Sequence, residues 1–135
     1  MDIKDFFQND RYAALSGIKL LDVKPGWAKT GMEIKDMHLN AGNVVQGGAI
    51  FTLADLAFAA AANAYGNLAL NIQTSINYLK SASKGYLYAE ANMINLHNKL
   101  AYFHVNVTND KDELIAVFTA TAYRKDIPLP FDVQS

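Results

Sequence analysis

The alternation of apolar and polar residues near the start of the chain predicts short helical turns followed by a hairpin. In segment 2–15 the apolar residues recur at helical spacing, which predicts one or two short amphipathic turns. Residues 18–23 and 27–35 then alternate in period two on either side of Pro25–Gly26. This arrangement predicts two strands joined by a tight turn.

The longest apolar segment predicts one enclosed helix. Residues from Ala49 to about Ala64 are rich in Ala and Leu, which are strong helix formers. Apolar residues occur on every side of this helix, so we expect other elements to surround it. The segment carries Asp55 near its middle, and a carboxylate in mid-bilayer is costly. We therefore predict a buried helix in a cytoplasmic protein with no membrane contact, since the N-terminus also lacks an apolar leader segment.

Four further strands are predicted after the helix, in segments 68–78, 86–96, 100–108 and 114–123. The connections between them have hairpin length, which predicts an antiparallel sheet. In the first of these strands one face is expected to hold Leu70, Ile72, Thr74, Ile76 and Tyr78. The element order predicts an α+β fold in which the sheet wraps around the long helix.

Composition limits both the class of protein and the kind of site. The chain has 135 residues, which predicts a single domain over 1–135, and 51% of them are hydrophobic. A balance of 12 Lys+Arg against 13 Asp+Glu argues against nucleic-acid binding. The chain lacks cysteine, and its three histidines, His38, His97 and His104, do not stand at metal-ligand spacing. We therefore expect no metal site.

Asp55 and the glycine pair before the helix are the strongest candidates for chemistry. Asp55 either belongs to a narrow exposed stripe with Thr52 and Ala59, or it lines a cleft or a subunit interface, where perturbed acids concentrate. Gly47–Gly48 is either an ordinary turn or an opening that lets a ligand reach the first-turn N–H groups. Eight residues separate Gly47 from Asp55, roughly 12 Å of helix rise. If both are functional, this spacing favours a homodimer in which each site combines one residue from each chain.

Polar residues in two loops offer further contacts. Asn40 and Asn43 precede the glycines, where Asn commonly serves turn geometry. The turn 80–85 supplies Lys80, Ser81, Ser83 and Lys84, which are either solvated or in contact with the phosphates of a ligand. Cations elsewhere in the chain could join the same patch: Lys99, Arg124 and Lys125.

Two groups of motifs resemble a known family. Asn40 is followed six residues later by Gln46-Gly47-Gly48, and Leu53-Ala54-Asp55 ends nine residues after Gln46. Downstream, Ile76-Asn77-Tyr78-Leu79-Lys80 is followed by Gly85. This pattern is similar to that of the hotdog-fold acyl-CoA thioesterases of the phenylacetic-acid-degradation type. The similarity extends over most of the chain, from about residue 27 to residue 124.

The resemblance implies a hotdog fold, homodimers or homotetramers with active sites at the dimer interface, and an acyl-CoA substrate with no separate cofactor. It implies that Asp55 is the general base or nucleophile and that the Gly47 N–H polarises the thioester carbonyl. It also implies that Asn40 positions substrate or water. The candidates for binding CoA are then Gly48, Lys80, Ser81, Ser83, Lys84 and Lys99.

One departure from the family pattern leaves alternatives open. Gln46 stands where the family usually has His, although Gln can still hydrogen-bond a carbonyl. A non-catalytic acyl-CoA-binding domain is one alternative. A hotdog dehydratase acting on a hydroxyacyl thioester is another, but such enzymes need a His as well as an acid.

Overall fold

The helices and strands follow one another in the predicted order. The computed structural model describes residues 1–131, and the last four residues of the predicted domain, 132–135, lie outside that part. The elements are α1 (Ile3–Phe7), α2 (Arg11–Leu15), β1 (Ile18–Lys24), β2 (Trp27–Glu33), a 3-10 turn (Asp36–His38), α3 (Gly47–Asn63), β3 (Asn67–Tyr78), β4 (Tyr86–Leu96), β5 (Leu100–Asn109) and β6 (Leu114–Pro128).

The strands form one sheet in the order β1-β2-β4-β5-β6-β3, and each neighbouring pair is antiparallel. α3 packs against one face of this sheet and contacts every strand. The core lies between them, where Phe58 of α3 meets the edge of Phe103 at 5.4 Å between ring centroids. The predicted α+β architecture, with an antiparallel sheet around one long helix, is therefore confirmed.

α3 is tied to the sheet by a polar contact as well as by apolar packing. The Thr30 hydroxyl of β2 is fully buried and donates to the Leu53 carbonyl of α3 at 2.8 Å. Because a buried hydroxyl without a partner is costly, this bond fixes the helix against β2. Within residues 1–131 no helix has the length and apolar character that a membrane span requires.

Two elements extend beyond their predicted limits by two residues or more. α3 begins at Gly47, two residues before the predicted start, since glycine costs little in a first turn whose N–H groups lack intrahelical acceptors anyway. β6 continues to Pro128, five residues past the predicted end, because its last residues pair with the beginning of β3 as far as Asn67.

A bulge in β3 overturns part of the predicted face. Thr74, Ile76 and Tyr78 lie opposite the inward residues of β6, as expected, but the register shifts between Asn71 and Gln73. The shift places Leu70 opposite Tyr123, on the outer face. The prediction that Leu70 and Ile72 share a face with Thr74 is therefore wrong, because one extra residue changes the phase of the alternation. Leu70 and Ile72 are 44% and 57% exposed.

Candidate active site

The loop that leads into α3 is fixed by the buried side chain of His38. Its Nδ1 accepts a hydrogen bond from the Lys35 N–H at 2.9 Å. Nε2 therefore carries the proton and donates it to the Ser16 carbonyl at 2.7 Å. The His38 carbonyl accepts the Gln46 N–H at 2.8 Å. One residue thus connects the end of α2, the end of β2 and the start of α3.

Asn40 shapes this loop with its side-chain oxygen. Asn40 Oδ1 accepts the N–H groups of Gly42 at 2.9 Å and Val44 at 3.3 Å. Asn43 adopts a left-handed conformation with φ 62°, which Asn tolerates better than most residues. The turn role expected for Asn in a loop is therefore present. The side-chain NH₂ of Asn40, on an exposed residue, remains for a ligand or water.

The glycine pair gives α3 an open N-terminus. Gln46 occupies the N-cap position in an extended conformation, and its side chain makes no capping hydrogen bond. The Gly47 carbonyl accepts a hydrogen bond from the Tyr78 hydroxyl at 3.0 Å. A Cβ on Gly47 would lie 3.1 Å from the Tyr78 ring, so a side chain there would displace Tyr78. The Ala49 N–H donates to the Gln46 carbonyl at 3.0 Å, whereas the N–H groups of Gly47 and Gly48 remain available to a developing oxyanion. The helix dipole favours negative charge there.

Clefts flank this N-terminus on two sides. One, of about 600 Å³, is lined in part by Asn40, Gln46 and Ala49. The other, of about 340 Å³, is lined in part by Gly47, Tyr78 and Lys80. A thioester whose carbonyl oxygen sat on the first turn of α3 would therefore have room on either side of it.

Asp55 lies two turns further along α3 and is held from β3. Asn71 Nδ2 donates to Asp55 Oδ1 at 3.3 Å. Burial raises the pKa of the Asp55 carboxyl, the Asn71 hydrogen bond lowers it, and the nearby carboxylate of Asp10 raises it again, with a net rise above 3.8. The stripe formed by Thr52, Asp55 and Ala59 is half-buried rather than exposed. A raised carboxyl pKa in such a position is typical of an acid or base with a chemical role.

Gly47 and Asp55 do not meet within one chain. The Gly47 carbonyl is hydrogen-bonded to Tyr78 at the end of β3, whereas the Asp55 carboxyl is hydrogen-bonded to Asn71 near the middle of β3. The structure thus agrees with the separation expected from their eight-residue spacing. It also shows that both groups lie along the same strand, which the sequence pattern did not predict.

The predicted cation patch divides into two groups. Lys80 forms an ion pair with Glu113, and both side chains are substantially exposed. Its neighbours in the turn, Ser81, Ser83 and Lys84, are exposed as well. Lys99 instead lies with Arg124 and Lys125 in a cleft of about 490 Å³.

Within one chain these cations do not form one patch. Ala116 pairs with Tyr78 at one end of the β3–β6 ladder, and Arg124 pairs with Ala69 at the other. Nine residues of β3, roughly 30 Å of strand, separate the two ends.

Two residues near the candidate groups were missed from the sequence. The sequence predicts Tyr78 only as one residue of a strand face and of the strand motif, and its bond to Gly47 has no local signal. Asn71 follows Leu70 in a strand whose alternation placed it on the outer face. A polar residue flanked by Leu70 and Ile72 is consistent with a bulge, but pattern alone does not distinguish a bulge from a regular strand.

Comparison with known proteins places the chain in a family. The model of the thioesterase superfamily matches residues 42–116, more than half of the chain. An Archaeoglobus fulgidus protein named "Putative esterase" is 46% identical over 130 residues, which are 95% of this chain and 84% of that protein. The acyl-coenzyme A thioesterase PaaI of Escherichia coli is 28% identical over 119 residues, 87% of this chain and 85% of that one.

Solved structures show the same architecture. The E. coli PaaI structure superposes with a TM-score of 0.88 at 26% identity and covers 92% of this chain and 91% of that one. The smu.793 protein of Streptococcus mutans, solved bound to acetyl CoA, superposes with a TM-score of 0.78 at 26% identity. That superposition covers 83% of this chain and 91% of the other.

Proposed function

The chain belongs to the thioesterase superfamily and is a thioester hydrolase of the PaaI-like hotdog type, and from this premise we propose that it hydrolyses acyl-CoA to a carboxylic acid and CoA. The observation that carries the proposal is the uncapped N-terminus of α3, which Gly47 leaves open beside two clefts. The similarity to PaaI and to a protein solved with acetyl CoA supports CoA as the leaving group.

In the proposed reaction the thioester carbonyl oxygen accepts the Gly47 N–H. Negative charge develops on this oxygen when the carbonyl carbon becomes tetrahedral, and a preorganised backbone donor is worth about 3 kcal/mol at that stage. Gln46 and the Asn40 NH₂ are the neighbouring donors that would orient the substrate or water. We expect the reaction to need no metal and no cofactor.

Asp55 supplies either the base or the nucleophile. As a base, its carboxylate takes a proton from water, hydroxide adds to the carbonyl carbon, and the departing CoA thiolate recovers the proton. As a nucleophile, its carboxylate attacks the carbonyl carbon and expels CoA thiolate, which leaves a mixed anhydride. Water then hydrolyses the anhydride to the carboxylic acid and free Asp55, and the thiolate takes up the proton that is released. In single turnover in H₂¹⁸O, label in the Asp55 carboxyl identifies the second route, because only an anhydride lets water attack the Asp55 carbonyl carbon.

A homodimer would bring Asp55 to Gly47. β3 is an edge strand of the sheet within residues 1–131, and its free edge exposes Ile72. Free edges of this length are normally paired or protected. If two copies of β3 pair about a two-fold axis at Ser75, with Ile72 left unpaired in the bulge, Asn71 of one chain lies opposite Tyr78 of the partner subunit. Asp55 then lies near Gly47 of the partner subunit, and each dimer has two sites.

The same pairing would join the two groups of cations. Lys80 of one chain would lie opposite Ala69 of the partner subunit, which is the residue that pairs with Arg124 in the β3–β6 ladder. We propose that Lys80 and Lys84 of one subunit and Lys99 of the other contact the CoA phosphates. Ser81, Ser83 and Gly48 are the accompanying polar and backbone contacts. Two such dimers pair in the tetramer implied by the family.

The dehydratase alternative requires a histidine at the site with a ring nitrogen that is free to act on the substrate. Gln46 occupies the position where a histidine would be expected, and both ring nitrogens of His38 are already engaged with backbone groups. The non-catalytic alternative predicts that acyl-CoA binds without turnover.

Thiol release from acyl-CoA tests the proposal. Aryl and straight-chain acyl-CoAs are incubated with the wild-type protein and with Asp55→Asn, and free CoA is measured. We expect turnover by the wild type and a loss of about 10²–10⁴-fold in the variant. Binding without turnover on every acyl-CoA would contradict the thioesterase proposal. Equal turnover by Asp55→Asn would contradict the role of Asp55.

A further inference from the structure

Asp55 receives a side-chain hydrogen bond from one group among residues 1–131, the amide of Asn71. The bond engages Oδ1 and leaves Oδ2 free to point elsewhere. We propose that Asn71 is the positioning residue of the site: it holds one carboxylate oxygen so that the other faces the water or the thioester carbon. This inference rests on the proposed role of Asp55 and goes beyond it, since it assigns Asn71 a role that acts through the Asp55 carboxylate.

The amide of Asn71 is itself oriented by its own strand. Asn71 Oδ1 accepts the Gln73 N–H at 3.0 Å, and Nδ2 also donates to the Thr74 hydroxyl. Because an N–H group must meet the oxygen of the amide, the Gln73 contact determines that the NH₂ faces Asp55. The donor is therefore set in place before a substrate arrives.

The bulge in β3 is what brings Asn71 to Asp55. Thr74 and Ile76 face α3, so a regular strand would direct residues 72 and 70 inward and residue 71 outward. The register shift between Asn71 and Gln73 instead sets Asn71 opposite the buried Ala122. Bulges re-aim side chains next to active sites, and here the effect is to exchange an apolar residue for an amide beside the carboxyl.

The electrostatics of the site give Asn71 a measurable task. Burial and Asp10 both raise the pKa of the Asp55 carboxyl, and the Asn71 bond lowers it. Asp10, at the N-cap of α2, is the charged group from a neighbouring element that acts on Asp55. A base or nucleophile works in its ionised form. Removal of the amide should therefore leave a larger fraction of Asp55 protonated at neutral pH.

Two substitutions of Asn71 test the proposal on the full-length protein. Asn71→Leu removes the donor at similar volume, and Asn71→Asp replaces it with a second carboxyl of the same shape. With an acyl-CoA substrate, kcat at pH 7 should fall roughly tenfold or more in both, with little change in KM. The acid limb of the pH profile should move to higher pH, further in Asn71→Asp, so that raising the pH restores part of the activity. Asn106→Leu, on the exposed outer face of β5, is the matched control and should keep the wild-type profile.

Titration of the Asp55 carboxyl by ¹³C NMR, assigned with Asp55→Asn, distinguishes failure of the Asn71 role from failure of the thioesterase proposal. Asp55 should titrate at higher pH in Asn71→Leu than in the wild type. An unchanged titration and an unchanged pH profile would overturn the role of Asn71 even if acyl-CoA is hydrolysed. A drop in kcat that no pH restores would also overturn it, because that indicates a structural defect. Suppose instead that the wild-type protein shows no turnover, but the Asp55 carboxyl still titrates at higher pH in Asn71→Leu. That result would overturn the thioesterase proposal and support the coupling of Asn71 to Asp55.

Discussion

Gly47→Ala is the sharpest test of the oxyanion role because the structure fixes what the added methyl group meets. The new Cβ would lie 3.1 Å from Tyr78 Cζ and 3.2 Å from its hydroxyl oxygen. Carbon atoms in contact prefer about 3.5–4.0 Å, so Tyr78 and the Gly47 peptide must separate by roughly half an ångström. That movement strains or breaks the 3.0 Å bond from the Tyr78 hydroxyl to the Gly47 carbonyl.

The expected losses differ in size for stability and for catalysis. Loss of one hydrogen bond should lower the free energy of unfolding by about 1 kcal/mol, equivalent to about 4 °C in Tm. Displacement of an oxyanion donor is more costly, since a shift of about 1 Å can reduce a rate by about 10²-fold. We therefore expect kcat to fall by between about ten- and a hundredfold, measured by thiol release and compared with urea unfolding of the same preparation.

Two control variants separate catalysis from stability. Tyr78→Phe removes the same hydrogen bond without adding a methyl group, so it should reproduce most of the stability loss and a smaller part of the rate loss. Gly31→Ala creates a contact of 2.9 Å with Leu21 on the outer face of the sheet, away from α3. If Gly47→Ala keeps the wild-type kcat, or if Gly31→Ala loses as much activity, the Gly47 N–H is not the oxyanion donor.

The remaining predictions concern four other features. Asp55→Asn should raise the free energy of unfolding at pH 7 and leave it unchanged near pH 3. The reason is that a carboxyl whose folded pKa lies above 3.8 destabilises the fold as it ionises with rising pH. If the variant and the wild type had equal stability in urea at both pH values, the burial penalty on Asp55 would be contradicted. His38→Phe should destabilise the protein by about 2 kcal/mol and speed hydrogen exchange at the Gln46 N–H, since it leaves buried backbone groups unpaired; unchanged exchange would show that His38 does not hold the loop. Ile72→Lys places a charge on the free edge of β3 and should yield a folded, inactive monomer by ultracentrifugation and circular dichroism, whereas a fully active monomer would exclude a shared site. Lys99→Glu should raise KM for acyl-CoA with kcat nearly unchanged, more at low than at high salt; an unaltered KM would remove Lys99 from the CoA contacts.

Much of the fold follows from local patterns. The long apolar run predicts α3 because Ala and Leu favour helix and because an all-round apolar surface must be enclosed. The alternation in β3 predicts that Thr74, Ile76 and Tyr78 share a face, and all three lie opposite inward residues of β6. The spacing of Gly47 and Asp55 predicts their separation in one chain.

The parts that the sequence missed depend on contacts between distant residues. The bulge at Asn71 changes the phase of β3, and its position is set by pairing with β6 rather than by the residues of β3 themselves. The Tyr78 bond to Gly47 joins residues 31 positions apart. The division of the cations into two groups follows from the strand pairing. Lys80 lies near one end of the β3–β6 ladder, and Lys99, whose carbonyl accepts the Arg124 N–H, lies near the other.

Because Asn71 and Tyr78 lie on a single strand, the segment of β3 between them can neither gain nor lose a residue without loss of one contact. They stand seven positions apart in the chain, and each contacts a different end of the candidate site through α3. Deletion or insertion of one residue between them would turn one of the two side chains to the opposite face of the sheet. Surface loops tolerate such insertions and deletions, but the number of residues between Asn71 and Tyr78 is fixed by the two contacts. We therefore expect active members of the family that retain both residues to keep the same number of residues between them.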